Sequence, residues 1–256
     1  MLNCNITIVF FCMFRLNHFG SLRSAPLRRP IQNHGHPHDP HPPPIKSYSQ
    51  IGQDLEVLKF YNNKRNGFFV EIGASDGIEL SNTYLLETMY DWKGVCAEPI
   101  PLKFELLCKN RPNSFCCSDA VHGESGKQVE FDICNTSDLL SGISENIDCH
   151  KDVVNQDKTQ ITITTISLND LLEKSNSPLF IEYLSLDTEG SELEILKSVD
   201  FQKYTFGLID VEHNGIEPRR TAIRNLLISN NYHYVRENKF DDCYQHGSET
   251  QPTETQ

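Results

Sequence analysis

Five stretches of the chain place carboxylates at the ends of short apolar runs, four of them beside glycines, a proline or a histidine. In FFVEIGASDG, Glu71 stands two residues before Gly73, and Ser75 and Asp76 precede Gly77. Glu98 follows GVCA and precedes Pro99, and Asp119-Ala120 follows SFCCS. Asp187 and Glu189 lie in LSLDTEG, and Glu212-His213 close IDVEH. Carboxylates accept hydrogen bonds from hydroxyls, attract cations and take protons, and a histidine beside an acid exchanges protons near neutral pH. The same groups repel phosphate, because like charges in a partly desolvated cleft strongly disfavour each other.

The first turn decides between ligand classes. A pyrophosphate site calls for G-x-G-x-x-G, and a triphosphate site for a glycine-rich loop ending in Lys-Ser or Lys-Thr. Gly73 and Gly77 are four apart with an acid between them, so neither pattern is present. A cationic ligand with hydroxyls suits this turn, and S-adenosylmethionine carries a sulfonium, an ammonium and a ribose. Glu98 lies 21 residues beyond Gly77, the spacing at which an acid on the next strand accepts from both ribose hydroxyls. An NAD-dependent oxidoreductase would use the same acid, but the phosphate-binding glycines it needs are missing. Asp119 is placed to accept from an adenine amino group, although a turn-forming aspartate explains it nearly as well.

In LSLDTEGSELEIL, a helix start accounts for Thr188, Ser191 and Glu192 through capping and the helix dipole. Asp187 and Glu189 are left to face the cleft, where they would orient a ligand or abstract a proton. Glu212 and His213 end the next strand. A lone histidine is more often structural, yet one beside an acid at a strand mouth is a candidate base.

These residues need a frame that brings strand ends together, and the periodicity supplies one. A helix is expected within residues 49–63, with Leu55, Leu58 and Tyr61 on one face. Strands are expected at 68–72, 94–98, 114–121, 179–186, 206–212 and 232–236. Helices are expected at 80–90, 102–109, 168–174, 191–199 and 219–229. Residues 128–133 and 160–167 alternate with period two and form a hairpin-like excursion around the polar loop 141–157. Strands alternating with helices imply an α/β fold with a parallel sheet and helices on both faces, whose ligands sit beyond the carboxyl ends of the strands.

A chain of 256 residues allows one core of roughly 200 residues with a tail at each end. The net charge of -12 excludes a long phosphate-tracking surface, so no nucleic-acid partner is expected. The nine cysteines show no CxxC and no zinc spacing, which points to reduced thiols, and no metal ligand set is assigned. Residues 1–20 hold an apolar stretch, Ile6–Phe14, too short to span a bilayer, so a cytoplasmic protein is expected. A signal or membrane anchor at this segment, and with it the secretory pathway, is the alternative. Residues 21–47 read as a disordered Pro/His-rich linker. Its four histidines, His34, His36, His38 and His41, have no rigid frame for a metal ion. Residues 245–256 read as a frayed tail.

Over residues 48–244 the chain resembles the FkbM-type methyltransferase family. The resemblance is carried, in order, by FFVEIGASDGIELSNTYLLE, GVCAEPIP, CSDAVHGESGKQVEFD, LSLDTEGSELEIL and IDVEHN. It implies a class I methyltransferase, Rossmann-like fold with a mostly parallel central sheet, and S-adenosyl-L-methionine as cofactor. It also implies O-methylation of a hydroxyl on a sugar or other small molecule, so a small-molecule or glycan acceptor is the expected partner. By matching position, Glu71, Gly73 and Gly77, with Ser75 and Asp76 between them, meet the methionyl part. Glu98 then meets the ribose, and Asp119 with Ala120 the adenine end. Asp187 and His213 are the candidate catalytic residues, and Glu189 and Glu212 the candidate substrate ligands. One position departs from the family pattern: many relatives carry lysine where Ser185 stands, two residues before Asp187. That departure keeps open a methyltransferase-like binding module acting in trafficking or protein interaction.

Overall fold

A computed structural model of the protein describes residues 45–248. The N-terminal apolar segment, the histidine-rich stretch and the last eight residues lie outside the described residues. A compact unit begins at Ser47.

Helix α1 (Gln53–Phe60) leads into β1 (Phe68–Ile72), α2 (Tyr84–Tyr90), β2 (Lys93–Ala97), α3 (Pro101–Asn110) and β3 (Phe115–Cys117). A four-strand excursion follows, with β4 (Ala120–His122), β5 (Gln128–Cys134), β6 (Gly142–Ile143), the short helix α4 (Lys151–Val154) and β7 (Lys158–Ser167). The chain then returns through α5 (Leu168–Lys174), β8 (Phe180–Leu186), α6 (Glu192–Ser198), β9 (Thr205–Glu212) and α7 (Arg219–Ser229). It closes with β10 (Tyr232–Asn238) and β11 (Asp241–His246).

The main sheet has seven strands in the order β10-β11-β9-β8-β1-β2-β3, and β11 alone runs against the others. Strand order reverses at β1, with β2 on one side and β8 on the other, so the carboxyl ends of β1, β2 and β8 frame the switch-point crevice. Alternation along each strand divides the core cleanly. Val70, Ile72, Leu184, Leu186, Ile209 and Val211 face α5, α6 and α7. Phe69, Cys96, Tyr183 and Leu208 face α1, α2 and α3.

Three sequence expectations shift. On α1, Val57 and Leu58 are the buried apolar pair, while Leu55 is half-buried. The helix expected from residue 80 begins at Tyr84, because Leu80 is left-handed and Ser81, Asn82 and Thr83 turn their polar groups onto Glu71. The strand expected over 114–121 is two strands, since β3 pairs with β2 in the main sheet whereas β4 pairs with β7 in the second. The break falls at Ser118-Asp119, where the chain passes between sheets. Strands β5 and β7 are antiparallel partners from Gln128↔Thr164 to Cys134↔Lys158, as the period-two pattern indicates. Strand β11, unread in the sequence, runs to His246, past the start of the expected tail.

Candidate active site

The turn after β1 is shaped by its neighbours on both sides. Gly73 has φ +86, and a Cβ there would stand 2.0 Å from the Asp187 carbonyl oxygen, so only glycine fits. The N–H groups of Gly73 and Ala74 both donate to the Ala97 carbonyl. Asp76 closes the turn by accepting from the Ile78 and Glu79 N–H groups at 2.9 Å each. Arg111 and Leu107 fill the space beside Gly77.

Glu71 takes a different role from the one expected. Its carboxylate accepts from Asn82 N (2.6 Å), Thr83 Oγ1 (2.6 Å) and Ser81 Oγ (2.9 Å), and Arg111 Nη1 lies 3.4 Å away. Arg111 is fully buried and also donates to Glu87 (2.6 Å) and Thr83 Oγ1 (2.8 Å). Glu71 thus anchors loop 81–83 from inside the protein, and its charge is offset there instead of facing a ligand. The sequence offered no sign of Arg111, whose partners are 24 to 40 residues distant.

Glu98, immediately after β2, reaches back across the crevice. Its two oxygens accept from Ser75 N (2.9 Å) and Ile100 N (2.8 Å), and burial raises its pKa to about 7 against the pull of those two donors. A carboxylate can accept about four hydrogen bonds, so Glu98 retains acceptor capacity beside the glycine turn. Asp119 is half-exposed, with Lys174 Nζ 3.6 Å away. Ala120 packs with Ile100, Phe131 and Ile143 in an apolar wall beside it.

The mouths of β8 and β9 are strongly acidic. One carboxylate oxygen each from Asp187, Glu189 and Glu212 lies within 4.8 Å of the others. Burial, with the Glu192 charge adding to it, pushes Asp187 up to about 7. Burial and the neighbouring carboxylates drive Glu189 and Glu212 well above the ordinary range. Glu192 buttresses the turn, since its Oε1 accepts from Thr188 N, Thr188 Oγ1 and Gly190 N. The 141–157 loop folds over this turn. The Asn146 carbonyl oxygen lies against Gly190, His150 Nε2 is 3.8 Å from Glu189 Oε2, and Arg219 bridges Asp148 to Glu192.

His213 departs from its expected role. Its Nδ1 accepts from Gly215 N at 2.8 Å, and its Nε2 faces Asp242 Oδ1 at 3.6 Å. Burial, reinforced by Arg220, lowers its pKa. The ring is thereby engaged by its own turn through Gly215 and by β11 through Asp242. Ser185 pairs in register with Glu71 and Asp210, and its Oγ accepts from Asn82 Nδ2 at 2.8 Å. Asn82 therefore ties loop 81–83 to the carboxyl-terminal part of β8. A separate cleft lined by Phe68, Lys93, Phe180 and Glu182 opens at the amino ends of the strands, away from all of these groups.

No curated protein matches the chain in sequence. Among solved structures, the METTL16 MTase domain is 11% identical, with a TM-score of 0.43, and the match covers 75% of this chain and 65% of that one. The precorrin-6y C5,15-methyltransferase from Geobacter metallireducens GS-15 is 9% identical, with a TM-score of 0.41, over 75% of this chain and 86% of that one. The Methanococcus jannaschii fibrillarin pre-rRNA processing protein is 12% identical, with a TM-score of 0.39, over 72% and 68%. No helix among the described residues is long and apolar enough to cross a membrane. A family-wide sequence model described as the methyltransferase FkbM domain matches residues 71–234, from Glu71 through the acidic mouth to β10. Together with the seven-stranded sheet and its single reversed strand, this match makes the fold that of a class I methyltransferase, and the chain belongs to the FkbM methyltransferase domain family.

Proposed function

We propose that the domain methylates a hydroxyl of a small-molecule or glycan acceptor, using S-adenosyl-L-methionine. The observation that carries this reading is the placement of three groups on one edge of the sheet: the glycine turn 73–77, Glu98, and the carboxylates of Asp187, Glu189 and Glu212.

The residues present suit the cofactor. Gly73 lets the turn pack directly on the Asp187 backbone at the head of the crevice, and Glu98 retains lone pairs for ribose hydroxyls. Asp119, beside the Ile100 and Ala120 wall, is a candidate acceptor for an adenine amino group. When bound, the cofactor supplies an electrophilic methyl carbon on sulfonium sulfur.

On the acceptor side, Glu189 and Glu212 accept hydrogen bonds from acceptor hydroxyls, and Asp187 takes the proton of the reacting one. A pKa near 7 suits that task, because a base poised near the working pH is ionised yet still holds a proton. The 141–157 loop lies over the turn that carries Glu189, and so it is the element that would select the acceptor.

A second reading, a binding module without turnover, draws on Ser185 and its bond to Asn82. Calorimetry with the full chain separates the readings. The wild type should bind S-adenosyl-L-methionine, and Glu98→Ala should bind it more weakly. An absence of binding by the wild type would overturn the methyltransferase reading. Transfer of labelled methyl groups to any acceptor in a cell extract would end the binding-module reading.

A further inference from the structure

We propose that Asp187, Glu189 and Glu212 form a site for one hard divalent cation, of the Mg2+, Mn2+ or Ca2+ class, at the mouths of β8 and β9.

Three oxygens no more than 4.8 Å apart leave a central point within about 2.8 Å of each. That is close to the ~2.3–2.6 Å of Ca2+–oxygen contacts, and small side-chain movements reach the ~2.0–2.1 Å of Mg2+. The donor set is all oxygen and contains no thiolate, which selects hard cations over zinc or copper.

Two further observations point to a missing partner. Glu189 Oε2 and Glu212 Oε2 are buried and accept no hydrogen bond, and their side chains belong to residues only 7% and 6% exposed. An unmatched carboxylate oxygen in such a place is strongly disfavoured. Neither residue is ion-paired with a lysine or arginine among the described residues, and the same holds for Asp187. The guanidinium of Arg219 is engaged by Asp148 and Glu192. Among the described residues, His150 is the one basic side chain at ion-pair distance, 3.8 Å from Glu189 Oε2.

The surroundings are built to hold the three ligands in place. Glu192 fixes the 188–190 turn through three hydrogen bonds, and the Asn146 carbonyl presses on Gly190. Asp187 is partly exposed and gives an ion a way in. Outer partners of this kind orient metal ligands and raise affinity.

The site itself does not depend on the methyl-transfer reading, but its role does. With an ion in place, Asp187 would serve as a ligand in place of its role as base, and the ion would supply Lewis-acid stabilisation of the acceptor hydroxyl. The proton of that hydroxyl would pass to water as its oxygen bonds to the methyl carbon and the carbon–sulfonium bond breaks, leaving a neutral thioether.

The test uses full-length protein stripped of metal with a chelator and titrated with Mn2+, free ion being followed by paramagnetic resonance. One saturable site is expected, displaced by Mg2+ or Ca2+. Glu189→Gln and Glu212→Gln should each weaken it by more than the roughly tenfold that losing an outer partner costs. Glu105→Gln, on the exposed face of α3, should leave it unchanged. Thermal melts control for folding. Without metal, Glu212→Gln should melt at or above the wild type, because it leaves one fewer acid in the buried cluster. Added Mn2+ should raise the wild-type midpoint and leave that of the variant unmoved. Absence of saturable binding, or equal binding by wild type and the Glu189→Gln/Glu212→Gln double variant, overturns the proposal and assigns the cluster to protons alone. Cofactor calorimetry run in parallel keeps the two readings apart: cation binding without cofactor binding strikes only the methyl-transfer reading, and the reverse strikes only this one.

Discussion

Gly73 and Asp187 meet backbone to backbone. The Asp187 N–H donates to the Ile72 carbonyl at 3.1 Å, and its own carbonyl oxygen occupies the space where a Gly73 side chain would begin. The glycine turn after β1 and the acidic mouth of β8 and β9 therefore share one contact, and neither can shift without the other.

Gly73→Ala should consequently damage both halves of the site. The left-handed backbone and the 2.0 Å approach to a carbonyl together should lower stability by about 2–4 kcal/mol. Urea denaturation measures that loss. Calorimetry on the folded fraction should show cofactor affinity falling as well, and an unchanged melting curve would show that the contact is softer than described.

Arg111 is the second point of weakness. It is the buried cation between Glu71 and Glu87, and Arg111→Met leaves both acids uncompensated. Breaking a buried pair in this way costs about 3–5 kcal/mol. The helix 101–110 and loop 81–83 should lose amide protection first, as read by hydrogen exchange, because Arg111 joins them directly.

Glu98 should give the site a pH signature. Its pKa rises from an ordinary 4.5 to about 7 in the folded protein, so between these values the folded state holds a proton that the unfolded state releases. Stability then falls as pH rises through that window and levels off above it. Compared with Glu98→Gln, the wild type should lose relative stability from about pH 4.5 to about pH 7. Cofactor affinity should run the other way. The ionised carboxylate is the better acceptor, so binding should strengthen about tenfold per unit as pH approaches 7 and then plateau. Calorimetry across pH 5–8 on both proteins checks both signs.

Ser185→Ala tests the position that departs from the family pattern. It removes the acceptor of Asn82 Nδ2, in a place where Asn82 Oδ1 already has no partner. Leaving the donor unmatched should cost about 1–2 kcal/mol. Faster exchange at Asn82 and Thr83 should accompany the loss, while the amides of β9 stay protected.

The parts of this protein written in local pattern were legible in its sequence. Period-two alternation marked β5 and β7, and continuous apolar runs marked β1 and β8, because a strand buried on one face alternates its side chains while one buried on both faces is apolar throughout. Pro101 marked the start of α3, since it lacks a donor that the first helical turn does not use. Strand-end acids also announced themselves, and Glu98, Asp187, Glu189 and Glu212 do lie along the carboxyl edge. Which of those acids face a ligand was decided only by tertiary contacts. Glu71 is claimed by Arg111 and loop 81–83, and His213 by Asp242, through neighbours that folding brings in from other elements. The 4.8 Å gathering of Asp187, Glu189 and Glu212 likewise depends on β9 lying beside β8. Sequence spacing records neighbours along the chain, whereas a charge is neutralised by whatever the fold places next to it.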